Sequence, residues 1–204
     1  MKCLFLTRCY KTTNLKRIQE NLESVFRHTD HTYRHIILAD LTHGTDIDEF
    51  QQYSLVSGVY PIVKKPSKDE YCTQAIDDCL YLIGDDVSNT CVYVLDDDNL
   101  ILPEFLAALD RAERTGAEVV VFKVEGHPDW GNKEDMKYSA VGKIDWSNYI
   151  TSLFYMKHIG VYNPNANSHD ADGVFFDALN NEFNIGNIEY MDKICGCYNA
   201  LPKP

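Results

Sequence analysis

Three consecutive aspartates, Asp96, Asp97 and Asp98, follow directly on the apolar run "CVYVL" at 91–95. An apolar run of that length reads as a strand buried on both faces, the kind found in a parallel sheet covered by helices. Two carboxylates about 4 Å apart repel by roughly 4 kcal/mol at an effective dielectric near 20. A buried strand that ends in three of them therefore calls for a cation, and a divalent ion answers the repulsion directly. Hard cations such as Mg²⁺ or Mn²⁺ take one or two carboxylates and fill the remaining positions with water and phosphate oxygens, which suits a short acidic run better than a full protein cage. The alternative is a solvated acidic turn that caps the helix beginning near Pro103.

The remainder of the chain agrees with an α/β fold. Apolar, β-branched and aromatic runs at 2–7, 34–39, 59–63, 90–95 and 118–124 alternate with segments of helical period, the pattern of a mostly parallel sheet flanked by helices. A helix over 13–26 puts Leu15, Ile18, Leu22 and Val25 on one face, and one over 69–83 aligns Cys72, Ile76, Cys79 and Ile83. A third opens at Pro103, where the missing N–H costs no hydrogen bond, and stops at Gly116. Beyond Val124 the chain turns to "EGHPDWGNKEDMKYSAVGKIDWSNY" and then "YITSLFYM", an elaborated substrate side of the same domain. A helix over about 170–180 and a tail from Ile188 follow, and the Pro-Lys-Pro ending reads as a linker. We expect one domain over 1–204, in two halves at about 1–124 and about 125–204.

Composition narrows the partners. At 204 residues and 45% hydrophobic the chain can bury a full core, and its formal net charge of −12 opposes bulk attraction to nucleic-acid phosphates or anionic lipid. Any phosphate it binds needs local positive charge. No run approaches the roughly 18 apolar residues of a membrane span, and "MKCLFLTRCYK" lacks a signal-peptide core, so the expected place is the cytoplasm, that of the host if the chain is viral. The seven cysteines include no CxxC pair and read as reduced, mostly buried thiols.

Open α/β sheets bind ligands beyond the carboxyl ends of their strands, and the triplet ends the fourth strand. A haloacid-dehalogenase phosphatase would carry its paired aspartates on the first strand, with Thr or Val where this chain has Leu100. A sugar nucleotidyltransferase would carry a Gly-rich loop after the first strand, where this chain has "TRCYKTTN".

With these residues in view, the chain resembles the GT-A glycosyltransferases, particularly the family-2-like enzymes with an Asp-x-Asp motif at such a strand end. "LFLTRCYKTTNLKRIQENLESV" is similar to the family's opening strand, turn, Asn-Leu and helix. "RHIILAD" ends at Asp40, where the family has an aspartate that meets uracil or ribose. "QAIDDCLYLIGDD" through "CVYVLDDDNLILPEFL" is similar to the spore-coat polysaccharide glycosyltransferases, and the small size to viral capsid glycosyltransferase domains. In "HIGVYNPNANSHDADGVFFDAL", aligning on Phe175 and Phe176 puts Asp172 at the family's catalytic-base position, with Asp170 as the alternative.

The resemblance implies a nucleotide-sugar-binding half at about 1–124 and an acceptor and base half at about 125–204. It implies a metal-dependent transferase that moves a hexose or deoxyhexose from a UDP-sugar to a hydroxyl of a saccharide or glycoprotein acceptor, inverting with an aspartate base as most family-2 relatives do, with retention as the alternative. It implies Mn²⁺ or Mg²⁺ on Asp98, with Asp96 on the metal or ribose and Asp97 assisting. Thr7, Arg8 and Tyr10 are placed to meet nucleotide. Lys65 and Lys68 stand where relatives often carry an arginine. Trp130, Tyr138 and Trp146 are candidates for stacking on sugar rings, and His169 for completing a metal shell. The contrasting classes are a non-catalytic nucleotide or glycan binding module and a nucleotide-sugar hydrolase.

Overall fold

The computed structural model describes residues 1–64, 69, 72–84, 86–126, 139–163, 170–182 and 187–202. Lys65, Lys68, Trp130, Tyr138 and His169 lie outside the described residues. The elements run β1 (Lys2–Cys9), α1 (Leu15–Phe26), β2 (Thr32–Asp40), α2 (Asp48–Gln51), β3 (Gly58–Ile62), α3 (Thr73–Leu82), β4 (Thr90–Val94), β5 (Leu100–Ile101), α4 (Phe105–Thr115), β6 (Val119–Glu125), β7 (Tyr149–Ser152), α5 (Leu153–Ile159), α6 (Ala171–Glu182) and β8 (Ile188–Cys197). One mixed sheet takes the order β3-β2-β1-β4-β7-β6-β8-β5. β1 to β4 pair in parallel, β8 pairs in parallel with β6, and β7 and β5 are antiparallel to their neighbours. This is the mostly parallel α/β sheet that the sequence implies, and the second half of the chain extends it.

Strand alternation sorts β1 into two cores. Leu4 and Leu6 face α3, α5 and α6 in a cluster with Ile76, Leu153 and Phe176. Cys3 and Phe5 face α1 and α4 in a cluster with Ile18, Leu22 and Phe105. Phe5 meets the edges of Phe26 and Tyr93 at 5.8 Å each. All seven cysteines are free thiols, six of them buried.

Several elements differ from the sequence reading. The acidic triplet does not lead straight into a helix. Leu100 and Ile101 first pair with Gly196 and Cys197 of β8, and α4 starts at Phe105. The tail from Ile188 is this ten-residue strand, packed beside β6. Its alternation is broken by register shifts in the pairing with β6, which hid it in the sequence. Trp146 is core, its ring tilted against Phe175 at 5.3 Å and Tyr149 at 5.6 Å, so it does not present a sugar-stacking face.

Thr7 is also interior. It is fully buried, with its hydroxyl 3.0 Å from His35 Nε2, while His35 Nδ1 lies 2.8 Å from Ser57 Oγ, which accepts from Gln19 Nε2 at 2.7 Å. A neutral imidazole that donates at Nε2 and accepts at Nδ1 satisfies this chain. Burial lowers the His35 pKa from 6.5 to about 4. Below pH 6.5 the unfolded chain binds a proton that the folded chain refuses until about pH 4. Stability present above that window is therefore lost as pH falls through it, by about 3 kcal/mol. His35→Gln is expected to destabilise the protein at pH 7, with the gap to wild type shrinking by about 2–3 kcal/mol at pH 4.5, as read from denaturant unfolding at both pH values.

Candidate functional site

The carboxyl ends of β1, β2 and β4 open onto a cleft of about 360 Å³ lined by Arg8, Cys9, Tyr10, Asp40, His43, Cys72, Asp96, Asp97, Asp98 and Tyr198. Of the residues that sequence places at a nucleotide and metal site, Arg8, Tyr10, Asp40 and the whole triplet meet here. A larger cleft of about 460 Å³ lies over β3 and the start of α3, where Lys64, Asp69, Gln74 and Asp78 contribute the polar groups, and it contains none of the triplet. The chemistry points to the smaller one.

Neutral bonds from three sides fix the acidic turn. Leu95 N donates to Leu6 O at 2.9 Å, and Asn99 N closes the turn onto Asp96 O at 3.1 Å. Asn14, at the start of α1, spends its side-chain amide on Asp97 O at 2.9 Å and Pro202 O at 2.7 Å rather than on capping the helix. The tail closes the third side through Leu201 N to Asp98 O and Asn199 N to Asn99 Oδ1, both at 2.9 Å. These bonds place the backbone and add no charge opposite to the carboxylates. Arg8 supplies the positive charge, as its Nη2 donates to Asp96 Oδ1 in an ion pair that is 11% exposed on the arginine side and 27% on the aspartate side. Even so, burial and then the charges of Asp96 and Asp98 push Asp97 up to about 7, against the pull of Arg8.

Asp40 caps the short turn at 41–43, with Oδ1 accepting from Thr42 N at 2.9 Å and from Thr42 Oγ1 at 2.5 Å. Its Oδ2 lies 3.5 Å from His43 Nε2 and 3.6 Å from the Cys72 thiol. Cys72 holds a left-handed conformation at φ 57° just ahead of α3, a geometry that costs a non-glycine residue on the order of 1 kcal/mol. At the cleft mouth the Tyr10 and His43 rings stand 5.1 Å apart, with Lys11 Nζ 5.4 Å from the Tyr10 centroid.

Asp172, in the first turn of α6, is nine-tenths buried. α6 is seated by Asp177, which accepts from Ser139 Oγ and Ala140 N at 2.7 Å each, and by Gly173. A Cβ on Gly173 would stand 2.4 Å from Val141 Cα and 2.8 Å from Ala140 O, so only glycine lets the helix approach this closely. Gly173 N donates to Asp172 Oδ1 at 2.7 Å. Burial first, and then the charge of Asp145, push Asp172 up to about 7, opposed by the Gly173 amide and by Arg8. Asp145 in turn caps the turn at 146–148 through Ser147 N at 2.8 Å and Ser147 Oγ at 2.7 Å. Asp170 is half-buried immediately before α6.

His43, Cys72, Asn14, Asp145, Gly173 and Tyr198 were not anticipated. Asp145 carried a signal in "DWS", an aspartate two residues ahead of a serine, and Gly173 carried one as a glycine inside a helix. Tyr198 arrives from the last strand with no local signature.

No protein-family model matches the chain, and no curated protein matches it. Among solved structures it is similar to Staphylococcus aureus TarS 1–349, with a TM-score of 0.64 at 14% identity over 97% of this chain and 60% of that one. The same enzyme in complex with UDP-GlcNAc gives 0.61 at 15% identity over 100% and 59%. Glucosyl-3-phosphoglycerate synthase from Mycobacterium tuberculosis, in complex with Mn²⁺, UDP and phosphoglyceric acid, gives 0.61 at 14% over 100% and 72%. The chain thus spans about 60% of TarS 1–349 and 36% of the longer TarS chain it also matches. At these identities the likeness establishes the fold, which is the GT-A glycosyltransferase type. A thymidylyltransferase described as complexed with sucrose matches less well, with a TM-score of 0.53 at 12% identity.

Two substitutions test the geometry. A carboxyl raised from 3.8 to about 7 lowers stability as pH climbs through that interval, because the folded state must give up a proton it holds more tightly than the unfolded chain does. Asp172→Asn is expected to be more stable than wild type at pH 8, by on the order of 2–4 kcal/mol, and equal to it near pH 4. Gly173→Ala, which in an open helix would stabilise by about 1 kcal/mol, is expected instead to lose about 1–3 kcal/mol in thermal or denaturant unfolding.

Proposed function

We propose that the chain is a metal-dependent glycosyltransferase that moves a hexose or deoxyhexose from a UDP-sugar to an acceptor hydroxyl of a saccharide or glycoprotein. The observation that carries this reading is the meeting of Asp40, Arg8 and the acidic triplet in one cleft, with Asp172 within electrostatic reach of Arg8. The UDP complexes of the similar structures and the resemblance to spore-coat polysaccharide glycosyltransferases support the same assignment.

A divalent ion fits the acidic turn. The donors are hard carboxylate oxygens, and the raised Asp97 marks a site short of positive charge. Among the described residues no group of three or more His, Cys, Asp or Glu forms a metal-holding cluster, so an ion here would need phosphate and water for its remaining ligands. Asp98 and Asp96 would hold it. There the ion would supply Lewis-acid stabilisation of the departing diphosphate.

The chain's own residues perform the other tasks. Asp40 and the Tyr10–His43 pair form the base and ribose end of the cleft, and Arg8 faces the diphosphate. Asp172 accepts the proton of the acceptor hydroxyl as the new C–O bond forms, while the bond from anomeric carbon to phosphate oxygen breaks with its electron pair passing to the diphosphate. A single attack assisted by this base inverts the anomeric centre. With a pKa of about 7, Asp172 is charged over the upper half of the physiological range yet basic enough to take a proton.

Thermal stability with UDP, GDP and CMP, each with and without Mn²⁺, tests donor binding. UDP with Mn²⁺ at about one hundred times its dissociation constant should add roughly 2.7 kcal/mol, a midpoint rise of about 5 to 10 °C; no rise with any nucleotide would remove the assignment. Asp172→Asn should keep that rise while transfer falls by about 10² or more. Wild-type kcat/KM should climb with pH through an apparent pKa near 7. Retained binding without transfer in the wild type would indicate a binding module, and equal donor breakdown with and without acceptor a hydrolase.

A further inference from the structure

Arg8 stands on the same face of β1 as Leu4 and Leu6, so alternation aims it across the sheet toward Cys72, Asp145 and Asp172 rather than out of the cleft mouth. Its guanidinium nevertheless closes on Asp96, one of the two carboxylates that the proposed function gives to the metal. Among the described residues that line the cleft, Arg8 is the only permanently charged cation, set against Asp40 and the triplet. A diphosphate entering this cleft meets net negative charge for as long as Arg8 remains committed to Asp96. An ion on Asp96 would meet a guanidinium already seated there.

We propose that Arg8 is the resident counter-ion of Asp96 and that a divalent cation enters by exchange with it, releasing the guanidinium onto the diphosphate that arrives with the metal. The inference rests on the glycosyltransferase reading. It makes metal and nucleotide interdependent. The metal alone competes with the Arg8–Asp96 pair and binds weakly, and the nucleotide alone finds its cation occupied. Together, each gives the other a partner: the metal takes the carboxylate, and the phosphate takes the guanidinium. Arg8 is thus a positioning residue whose two partners belong to two states of the site, a coupling that must act equally in both directions.

The test is Mn²⁺ affinity, read from the free Mn²⁺ signal in electron paramagnetic resonance, with and without UDP, for wild type and Arg8→Met. Wild type is expected to bind Mn²⁺ about tenfold or more tightly with UDP than without, within the usual range for linked sites. Arg8→Met should bind Mn²⁺ alone about fivefold or more tightly than wild type, as befits loss of a competing, partly buried ion pair, and should lose most of the UDP dependence. A residue that served structure alone would weaken the metal on removal. In the intact wild type, the side-chain Nε–Hε resonance of Arg8 should shift when Mg²⁺ and UDP are added together, which keeps the proposal testable if the variant misfolds. Mn²⁺ affinity that is unchanged or weaker in Arg8→Met, with UDP and Mn²⁺ binding normally to wild type, overturns the exchange alone, as does a resonance that stays in place. No Mn²⁺ binding by either protein with UDP present overturns both the exchange and the glycosyltransferase reading.

Discussion

Three carboxylates at the end of a buried strand can be kept together only if their backbone is held by bonds that do not depend on their charge. The structure supplies such bonds from three distant parts of the chain. β1 receives Leu95 N, Asn14 at the start of α1 holds Asp97 O, and the tail residues 199–201 grip Asp98 and Asn99. Each is a neutral amide bond worth about 1 kcal/mol net, against a like-charge repulsion of several kcal/mol between close neighbours at moderate dielectric. Arg8 adds an ion pair to Asp96. Asp97 remains raised to about 7 although Arg8 is present. A stretch so arranged would be stabilised by further positive charge, a local conflict of the kind that marks candidate binding sites.

The start of α6, which is not part of the lining of the triplet's cleft, is built on close approach. Gly173 allows the start of α6 to press onto Ala140 and Val141, and Asp177 fastens the same segment by its amide and by Ser139. Because Asp172 adjoins Gly173, the contact that seats the helix also buries the carboxylate beside Asp145. Two acidic centres, Asp97 and Asp172, are thus both within the field of one guanidinium. Burial pushes each up to about 7 against the pull of Arg8.

What the sequence disclosed and what it concealed follow from the range of the interactions. The triplet, Asp40 and the alternating elements were legible because each is carried by a short run of residues with its own period or charge. Asp172 was singled out only by the resemblance to a family motif, and in the structure it is buried within electrostatic reach of Arg8 and Asp145. Thr7 was misread because the residues at the end of β1 looked equivalent in sequence. Alternation sends Thr7 inward to His35 and Arg8 to the opposite face. β8 was concealed because its pairing with β6 shifts register, which erases the two-residue rhythm by which a strand is recognised. The consequence reached the site itself. Tyr198 and the residues that clamp Asp98 come from the end of that strand, about one hundred positions from the triplet they hold, and no local pattern can announce such a pairing.

The net charge of −12 runs against a cleft proposed to take a diphosphate, but the two act on different length scales. At physiological salt the Debye length is about 8 Å, so the charge of the distant surface hardly reaches a phosphate already inside. What it meets there is set by the groups that line the cleft, which among the described residues include four carboxylates and one arginine. Carboxylates that repel a bare nucleotide attract a divalent ion, and an ion carried in on the nucleotide would reverse the sign of the encounter. Under the proposed function, an acidic chain of this construction would therefore discriminate at entry between a free diphosphate and its metal complex. With the arginine already paired to Asp96, that discrimination would rest on the cleft's own charges and not on the net charge of the surface.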